Sequence, residues 1–288
     1  MWLYRIICIA VKQFDTMKRK FFVTAMGFAF VAVTACHRNA ITGRSQLSLV
    51  SETEVQSMAK TEYKQFLTEN KVVSSTGNKD AEMVRRVGSR IATAITKYYT
   101  EQGLSKELDG YQWEYNLVDS KEVNAWCMPG GKIVVYTGLL PISQNEAALA
   151  VVMGHEIAHA LARHGNERMS EGLATQLGGA ALSVALSSKP AETQNLFLNA
   201  YGVGSQIGIA LPHSRKQESE ADKFGLRYAA LAGYNVREAI PLWQRMKAAG
   251  GGQKPPEFLS THPAEDKRIA DLNAIMEETI RDYYRPMK

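Results

Sequence analysis

The sequence has few cysteines and no long apolar run in its main part. Of its three cysteines, Cys8 and Cys36 stand near the start, so Cys127 is the one thiol left in the rest of the chain. A single thiol excludes a disulfide framework and a cysteine-based zinc site. No run of about 20 apolar residues follows Cys36, which excludes a bundle of membrane-spanning helices there.

The sequence also lacks a strong charge imbalance once its start is set aside. The formal net charge is +5, but five basic side chains and one acidic side chain precede Cys36. The remainder is therefore almost neutral, which excludes nucleic-acid binding as a leading function. With 45% hydrophobic residues, a chain of 288 residues can bury one substantial core or two small ones.

The start of the chain is typical of a secretory signal. From Met17, three basic residues precede an apolar stretch that ends in "VTAC" at Cys36. This layout predicts a signal segment over residues 1–35, of which the first 16 are an upstream extension. The ending resembles the lipobox of bacterial lipoproteins, so we expect Cys36 to be acylated and residues 36–50 to form a lipidated N-terminus and linker. An uncleaved membrane anchor helix is the alternative.

From residue 51 onward, hydrophobic periodicity predicts one mainly helical α+β domain over 51–288 with one small sheet. A capping box of Ser51 and Glu54 predicts the start of its first helix. The segments "YQWEYNLV" and "KIVVYTG" are predicted strands, with a further strand and a turn in "NAWCMPGG" between them. Later helices are predicted to end at Gly233 and to cover 236–248 and 263–283.

The segment "VVMGHEIAHALARHG" indicates a buried helix that carries polar side chains. Ser143 and Glu146 predict its start as a capping box, and Gly165 predicts its end. His164, beside that glycine, is expected to cap the last turn. The apolar positions that predict burial are Leu149, Val152, Met153, Ile157 and Leu161.

Two histidines of this helix have the spacing of metal ligands. His155 and His159 are four residues apart, so both imidazoles project from one face of a helix. Glu156 completes the H-E-x-x-H pattern, in which zinc lowers the pKa of water and the glutamate takes its proton. Burial of these three side chains is costly unless they are paired or bound to a metal. The pattern therefore predicts a zinc site.

A catalytic zinc site needs a third protein ligand, and "RKQESEADKFG" contains two glutamates. Glu220 shares a polar helical stripe with lysine and arginine side chains, which indicates a solvated face. Glu218 shares its stripe with small residues that let another helix approach, so Glu218 is the predicted ligand. Asp222, one turn later on that stripe, is expected to accept the free ring N–H of His155.

Four motifs together resemble the HtpX/BepA-like zinc endopeptidases of metallopeptidase family forty-eight. They are "NAWCMPGGKIVVYTGLL", "HEIAHALARHG", "SRKQESEAD" and "STHPAEDKRI", in the family's order, and the resemblance runs from about Leu47 to Ile269. It implies a zincin-like domain that binds one zinc ion. It also implies that Asn124 and Ala125 lie on an edge strand that binds the substrate backbone.

The same resemblance implies that His262 and Arg268 face the zinc. Both groups are then placed to stabilise the oxyanion of a tetrahedral intermediate. A second role is open for His262, which as a fourth zinc ligand would hold a resting state. The glycine- and proline-containing connection before His262 favours a loop that moves.

The resulting hypothesis is a zinc-dependent endopeptidase that hydrolyses peptide bonds in misfolded cell-envelope proteins. We expect unfolded or misfolded proteins as substrates, a membrane contact through the N-terminal lipid, and no nucleic acid as a partner. The expected location is the periplasmic side of a bacterial envelope, at the outer membrane rather than the inner one. The alternative is a metal-containing, chaperone-like lipoprotein with little proteolysis.

Overall fold

The computed structural model describes residues 36–177, 190–201, 214–250, 257–262 and 266–287. The predicted signal segment lies outside these residues. Helices dominate the described chain and accompany two small sheets, which confirms the predicted α+β class, although only one sheet was predicted. The helices are α1 Glu52–Glu69, α2 Lys79–Glu101, α3 Leu140–Ser143, α4 Glu146–Leu161, α5 His164–Leu177, α6 Pro190–Tyr201, α7 Arg215–Leu231, α8 Ala239–Ala249, α9 Glu257–Thr261 and α10 Asp266–Tyr283.

The strands form two sheets. Strands β3, β5 and β4 lie side by side in that order, with β3 parallel and β4 antiparallel to β5. Strand β4 therefore lies at the edge of this sheet as far as the described residues show. The other sheet is a two-stranded antiparallel hairpin of β1 and β2. The strands are β1 Cys36–Arg38, β2 Ser45–Leu47, β3 Glu114–Val118, β4 Ala125–Met128 and β5 Lys132–Tyr136.

The hairpin of β1 and β2 corrects the prediction of a linker over residues 36–50. Its residues are attached to the end of α4 by buried side chains. Gln46 donates a hydrogen bond of 2.8 Å to the carbonyl of Ala162, and Asn39 donates one of 3.4 Å to that of Leu161. Polar composition alone indicated a linker, but these buried amides are satisfied by contacts more than 100 residues away in the chain.

The start of α4 differs from the predicted capping box. Asn145 is its N-cap, and the Asn145 side chain accepts from the N–H of Ala148 at 2.8 Å. Ser143 instead ends the preceding short helix, and Gln144 after it has a left-handed φ of 66°. This turn separates the two helices, so Ser143 cannot cap α4. The capping box predicted for α1 from Ser51 is present.

The end of α4 also differs from the prediction. The helix stops at Leu161, and Arg163 makes the turn with a φ of 58°. Gly165 therefore lies inside α5. A Cβ at Gly165 would collide with the ring of Tyr201, so this glycine allows a close approach of α6 and does not end a helix.

Helix α4 lies in the centre of the core and crosses α7 closely. A Cβ at Gly154 would lie 2.6 Å from the carbonyl oxygen of Gly225, so neither position accommodates a larger residue. This contact brings the backbones of the two predicted metal-binding helices together. The predicted apolar positions of α4 are all buried: Leu149, Val152, Met153, Ile157 and Leu161.

The C-terminal helices pack around this pair. Helix α7 begins with a capping box of Ser214 and Gln217 and is followed by Gly233 with a φ of 83°, as its predicted end requires. Helix α10 packs against α7. Across the described residues, no helix combines the length and the apolar character needed to cross a bilayer.

Candidate metal centre

Four buried side chains from three parts of the chain converge beside α4. His155 and His159 come from α4, Glu218 from α7, and His262 follows α9. His155 Nε2 lies 3.0 Å from His159 Nε2 and 3.5 Å from Glu218 Oε2. His159 Nε2 lies 3.2 Å from Glu218 Oε1. One donor atom from each of the four residues lies within 4.8 Å of the other three.

These separations fit zinc. Zinc–nitrogen and zinc–oxygen bonds of about 2.0–2.1 Å in a tetrahedron place the donor atoms about 3.3 Å apart. The distances among His155, His159 and Glu218 range from 3.0 to 3.5 Å. Imidazole and carboxylate donors are also the chemistry of catalytic zinc sites. The predicted ligands therefore have both the spacing and the donor types that zinc requires.

The protonation states favour metal binding as well. Burial lowers the pKa of His155 and His159 well below the usual range, so both imidazoles are neutral at pH 7. Burial alone would raise the pKa of Glu218, but its electrostatic interactions with His262 and Arg268 more than offset it and hold the pKa well below its usual value. Neutral imidazoles and an ionised carboxylate are the forms that bind a metal.

Glu156 faces a small cavity next to this cluster. The cavity has a volume of about 30 Å³, enough for a water-sized group. Glu156 Oε1 is buried and makes no hydrogen bond. Burial raises the pKa of Glu156 to about 7, although the nearby His262 opposes this shift. A carboxyl with this pKa is suited to accept and return a proton at neutral pH.

Asn124 and Ala125 lie at the edge of the three-stranded sheet and line the same cavity. The side chain of Asn124 accepts from the N–H of Ala125 at 2.9 Å, which fixes the start of β4. Both residues are buried. The structure thus places them beside Glu156, and their binding of a substrate backbone stays a prediction.

Asp222 and Arg268 lie behind the cluster. Asp222 Oδ1 is 3.0 Å from His155 Nδ1, as expected for a carboxylate that accepts the free ring N–H of His155. Arg268 binds Asp222 through two nitrogens at 2.7 and 2.6 Å and binds Glu218 at 2.8 Å. It also stacks 3.5 Å above the ring of Trp243. Its Nη2 also lies 3.1 Å from His155 Nδ1 and 3.3 Å from His155 Nε2, and its role in stabilising an oxyanion stays a prediction.

His262 lies among the donor atoms and also reaches the cavity. Its Nδ1 is 2.8 Å from Glu218 Oε1 and 3.2 Å from His155 Nε2, while its Nε2 is 3.6 Å from Glu156 Oε1. The backbone N–H of His262 donates to the carbonyl of Phe258 within the last turn of α9. Pro263, predicted to start the next helix, lies outside the described residues, and α10 begins at Asp266.

The sequence predicted no role at the metal site for two further residues, yet both lie next to it. His164 begins α5 instead of capping α4, and it is fully buried, with its Nδ1 2.9 Å from His159 Nδ1. Glu220 does not lie on a solvated face, because it binds His164 at 2.9 Å and Arg44 at 2.8 Å. The sequence placed Glu220 on the correct side of α7. It did not show that the hairpin of β1 and β2, from a distant part of the chain, covers this side.

Arg168 and Tyr201 were missed by sequence reasoning. Both line the cavity beside Glu156. Burial lowers the pKa of Arg168 to about 10, so it stays a cation at neutral pH, and it donates a hydrogen bond to the carbonyl of Ala200. The one sequence signal of the close packing of α5 and α6 is Gly165, whose missing side chain leaves room for the Tyr201 ring. A glycine does not identify the residue that packs against it.

Comparisons with known proteins agree with this site. The profile of Peptidase family M48 matches residues 79–276. The metalloendopeptidase OMA1, mitochondrial, of Bos taurus is 31% identical over 90% of this chain and 50% of its own length. The mitochondrial metalloendopeptidase OMA1 of Arabidopsis thaliana is 38% identical over 62% of this chain and 35% of its own length. The beta-barrel assembly-enhancing protease of Escherichia coli is 30% identical over 55% and 33%.

These matches confirm the predicted family and correct the predicted location. The chain spans between a third and about half of the length of these curated relatives. The relatives with higher identity are named as mitochondrial, which contradicts a bacterial outer-membrane lipoprotein, so that prediction is wrong. The signal-like start of the chain had suggested the bacterial envelope. Acylation of Cys36 stays a prediction, since its side chain is not among those described.

Proposed function

The chain belongs to peptidase family M48, and from this membership we propose that it is a zinc-dependent endopeptidase with Glu156 as its general base. One observation carries the proposal. The donor atoms of His155, His159 and Glu218 converge, while the neighbouring Glu156 carries a buried oxygen that makes no hydrogen bond and lines the adjacent cavity. A buried carboxylate oxygen without a hydrogen bond is costly to the fold, so this arrangement is better explained by chemistry than by stability.

The proposed ligands are His155, His159 and Glu218. Zinc, when bound there, polarises the substrate carbonyl and lowers the pKa of water. Glu156 accepts the proton of the attacking water and later delivers it to the amine nitrogen of the leaving group. The pKa of about 7 for Glu156 suits both directions of this proton transfer. Asp222 and Arg268 orient His155 and Glu218 from behind.

The proposed substrates are unfolded or misfolded polypeptides. Strand β4 has one hydrogen-bonded neighbour among the described strands, and its first residues line the cavity next to Glu156. An edge strand binds an extended peptide through backbone hydrogen bonds, which depend little on the peptide's side chains. Folded proteins rarely offer such an extended segment, so the geometry favours chains that have lost their fold.

We further propose that His262 serves as a fourth ligand in the conformation described. Its Nδ1 lies 3.2 Å from His155 Nε2, within the group of donor atoms that the four residues form, which supports this role over that of an oxyanion donor. As a fourth ligand His262 competes with water for the metal, so its removal should raise the rate of cleavage. A fall in the rate of His262→Ala would support the oxyanion role instead.

The test combines metal analysis with cleavage of unfolded casein by the full chain, with and without a chelator. We expect about one zinc ion per chain and cleavage that the chelator abolishes. Glu156→Gln should retain the zinc and lose at least a hundredfold in rate, because it removes the base and leaves the ligands. Stoichiometric zinc without chelator-sensitive cleavage would favour the alternative, a metal-containing protein that binds unfolded chains.

A further inference from the structure

A chain of buried polar groups leads away from His159 on the side opposite its metal-facing nitrogen. His159 Nδ1 lies 2.9 Å from His164 Nδ1, and His164 Nε2 lies 2.9 Å from Glu220 Oε2. His159 and His164 are 5% and 0% exposed, so their mutual contact is shielded from water. Nothing in the proposed reaction uses His164 or Glu220.

The chain of contacts ends at Arg44, in the connection between β1 and β2. Its Nε and Nη2 bind the carboxylate of Glu220 at 2.8 and 3.1 Å. The same guanidinium binds both oxygens of Glu167, one of them at 2.7 Å. Glu167 also accepts from Gln217 at 2.8 Å. Arg44 therefore joins the N-terminal hairpin to α5 and α7 at the back of the site.

The direction of these hydrogen bonds follows from their donors. Arginine has donors only, so it keeps Glu220 as an acceptor. His164 must then carry its proton on Nε2 in order to donate it to the Glu220 carboxylate. Its other nitrogen, Nδ1, is left as an acceptor. His159 must then carry its proton on Nδ1, so Nε2 is the ring nitrogen that carries the lone pair. That Nε2 is the atom which lies in the donor cluster with Glu218.

We propose that His164 and Glu220 are positioning residues that fix the tautomer and ring orientation of His159, and that Arg44 thereby makes the N-terminal hairpin part of the metal centre. The proposal rests on the proposed function, in which His159 is a zinc ligand. Ligating histidines commonly donate their second ring N–H to an acceptor, and loss of that acceptor costs about 10- to 100-fold in metal affinity. Here the acceptor is the imidazole of His164, and the carboxylate of Glu220 contacts His164 rather than His159.

The experiment measures zinc affinity of the full chain by competition with a chromogenic chelator. We expect His164→Leu to weaken zinc binding about 10- to 100-fold. His164→Gln should recover most of this loss, because its amide supplies an acceptor for His159 and a donor for Glu220 in one side chain. The matched control is Arg86→Met, which breaks another arginine–glutamate pair, with Glu146, away from the metal site, and should leave zinc affinity unchanged.

The outcomes separate the two proposals. Failure of the unchanged chain to bind zinc would overturn the proposed function itself. Normal zinc binding by the unchanged chain and by His164→Leu would overturn only the positioning role. A glutamine variant as weak as the leucine variant would also overturn it, since the hydrogen bonds would then not matter.

A spectroscopic readout covers the case in which His164→Leu fails to fold. Long-range ¹⁵N NMR of the unchanged chain with zinc added reports the tautomer of each histidine. We expect His164 to carry its proton on Nε2, and a proton on Nδ1 would overturn the proposal. Glu220→Gln, which replaces one carboxylate oxygen by an amide nitrogen at a partly exposed position, should weaken zinc binding in the same direction as His164→Leu but by less.

Discussion

The two histidines of α4 are supported in different ways. The His155 arm is short: His155 contacts Asp222 directly, and Asp222 is bound by Arg268 from α10. The His159 arm is longer: His159 contacts His164, which binds Glu220, and Glu220 is bound by Arg44 from the N-terminal hairpin. Each arm ends in a carboxylate of α7 and an arginine, and the two arginines come from opposite ends of the domain.

Helix geometry explains the difference between the arms. Asp222 is four residues after Glu218, so both carboxylates face α4 from the same side of α7. Glu220 is two residues after Glu218, a rotation of about 200° around the helix, and it cannot reach a ligand on that face. The imidazole of His164 lies between Glu220 and His159 and contacts both. The arms also differ in exposure, because the side chain of Arg268 is 6% exposed and that of Arg44 is 14% exposed. We therefore expect the His155 arm to matter more.

The largest effect is expected at Glu218, the proposed ligand on α7, which carries the carboxylates of both arms. Glu218→Ala removes the only carboxylate among the proposed ligands and should abolish stoichiometric zinc binding and cleavage, because the imidazoles of the remaining ligands supply no negative charge to hold the ion. Glu220→Ala is the matched control on the same helix and should retain bound zinc at reduced affinity. Metal analysis after gel filtration measures both. The reverse pattern would exchange the roles of the two glutamates.

The next largest effect is expected in the His155 arm. Asp222→Asn should lower zinc affinity by about 10- to 100-fold, because the amide is a poorer acceptor for the ring N–H of His155. It should also lower the unfolding free energy of the metal-free chain by about 3 kcal/mol, since Arg268 loses half of its buried ion pairs. Chelator competition and urea unfolding measure the two quantities. If Asp222→Asn lowered zinc affinity no more than Glu220→Gln does, the expectation that the His155 arm matters more would be contradicted.

Combining substitutions tests whether the arms act separately. Asp222→Asn and Glu220→Gln affect the support of different ligands, His155 and His159, so their effects on zinc affinity should add to within about 0.5 kcal/mol. Within the His159 arm, His164→Leu and Glu220→Gln should be less than additive, because the second change breaks a chain that is already broken. A double-mutant cycle on zinc affinity measures both couplings. Strong coupling between the arms would mean that they act through a common shift of α7.

The smallest effect is expected at Arg44 and appears as a dependence on pH. Burial alone would raise the pKa of Glu167 and Glu220, but hydrogen bonds from Arg44 and, at Glu220, from His164 hold both pKa values below their usual range. A depressed carboxyl pKa contributes stability above the unfolded pKa and loses it as pH falls through the folded pKa.

Arg44→Met should therefore lower the unfolding free energy by about 1 kcal/mol at pH 7, and the difference should shrink below about pH 4. Urea unfolding at several pH values measures this. The control is Arg86→Met, whose exposed ion pair should contribute less at every pH. A pH-independent loss in Arg44→Met would mean that Arg44 acts through packing of its stem and not through its charge.

Local spacing predicted much of the site. His155, Glu156 and His159 depend on helical periodicity alone, and the stripe shared by Glu218 and Asp222 on α7 indicated that both face another helix. The structure brings these five residues together as that reasoning expected. The capping box at Ser143, the helix end at Gly165 and the exposed position of Glu220 were wrong, because each depends on a neighbouring segment and not on spacing within its own helix.

By itself the sequence determined the chemistry of the centre: which side chains share a helix face, which positions are apolar enough to be buried, and which family the motifs resemble. The tertiary structure decided what surrounds those side chains. It brought Arg44 from the hairpin, His262 from the end of α9 and Arg268 from α10 to one cluster. Helical periodicity is a local property that can be counted along the chain. These contacts join residues 44 to 176 positions apart, so they depend on how whole elements pack, and spacing within one helix does not encode them.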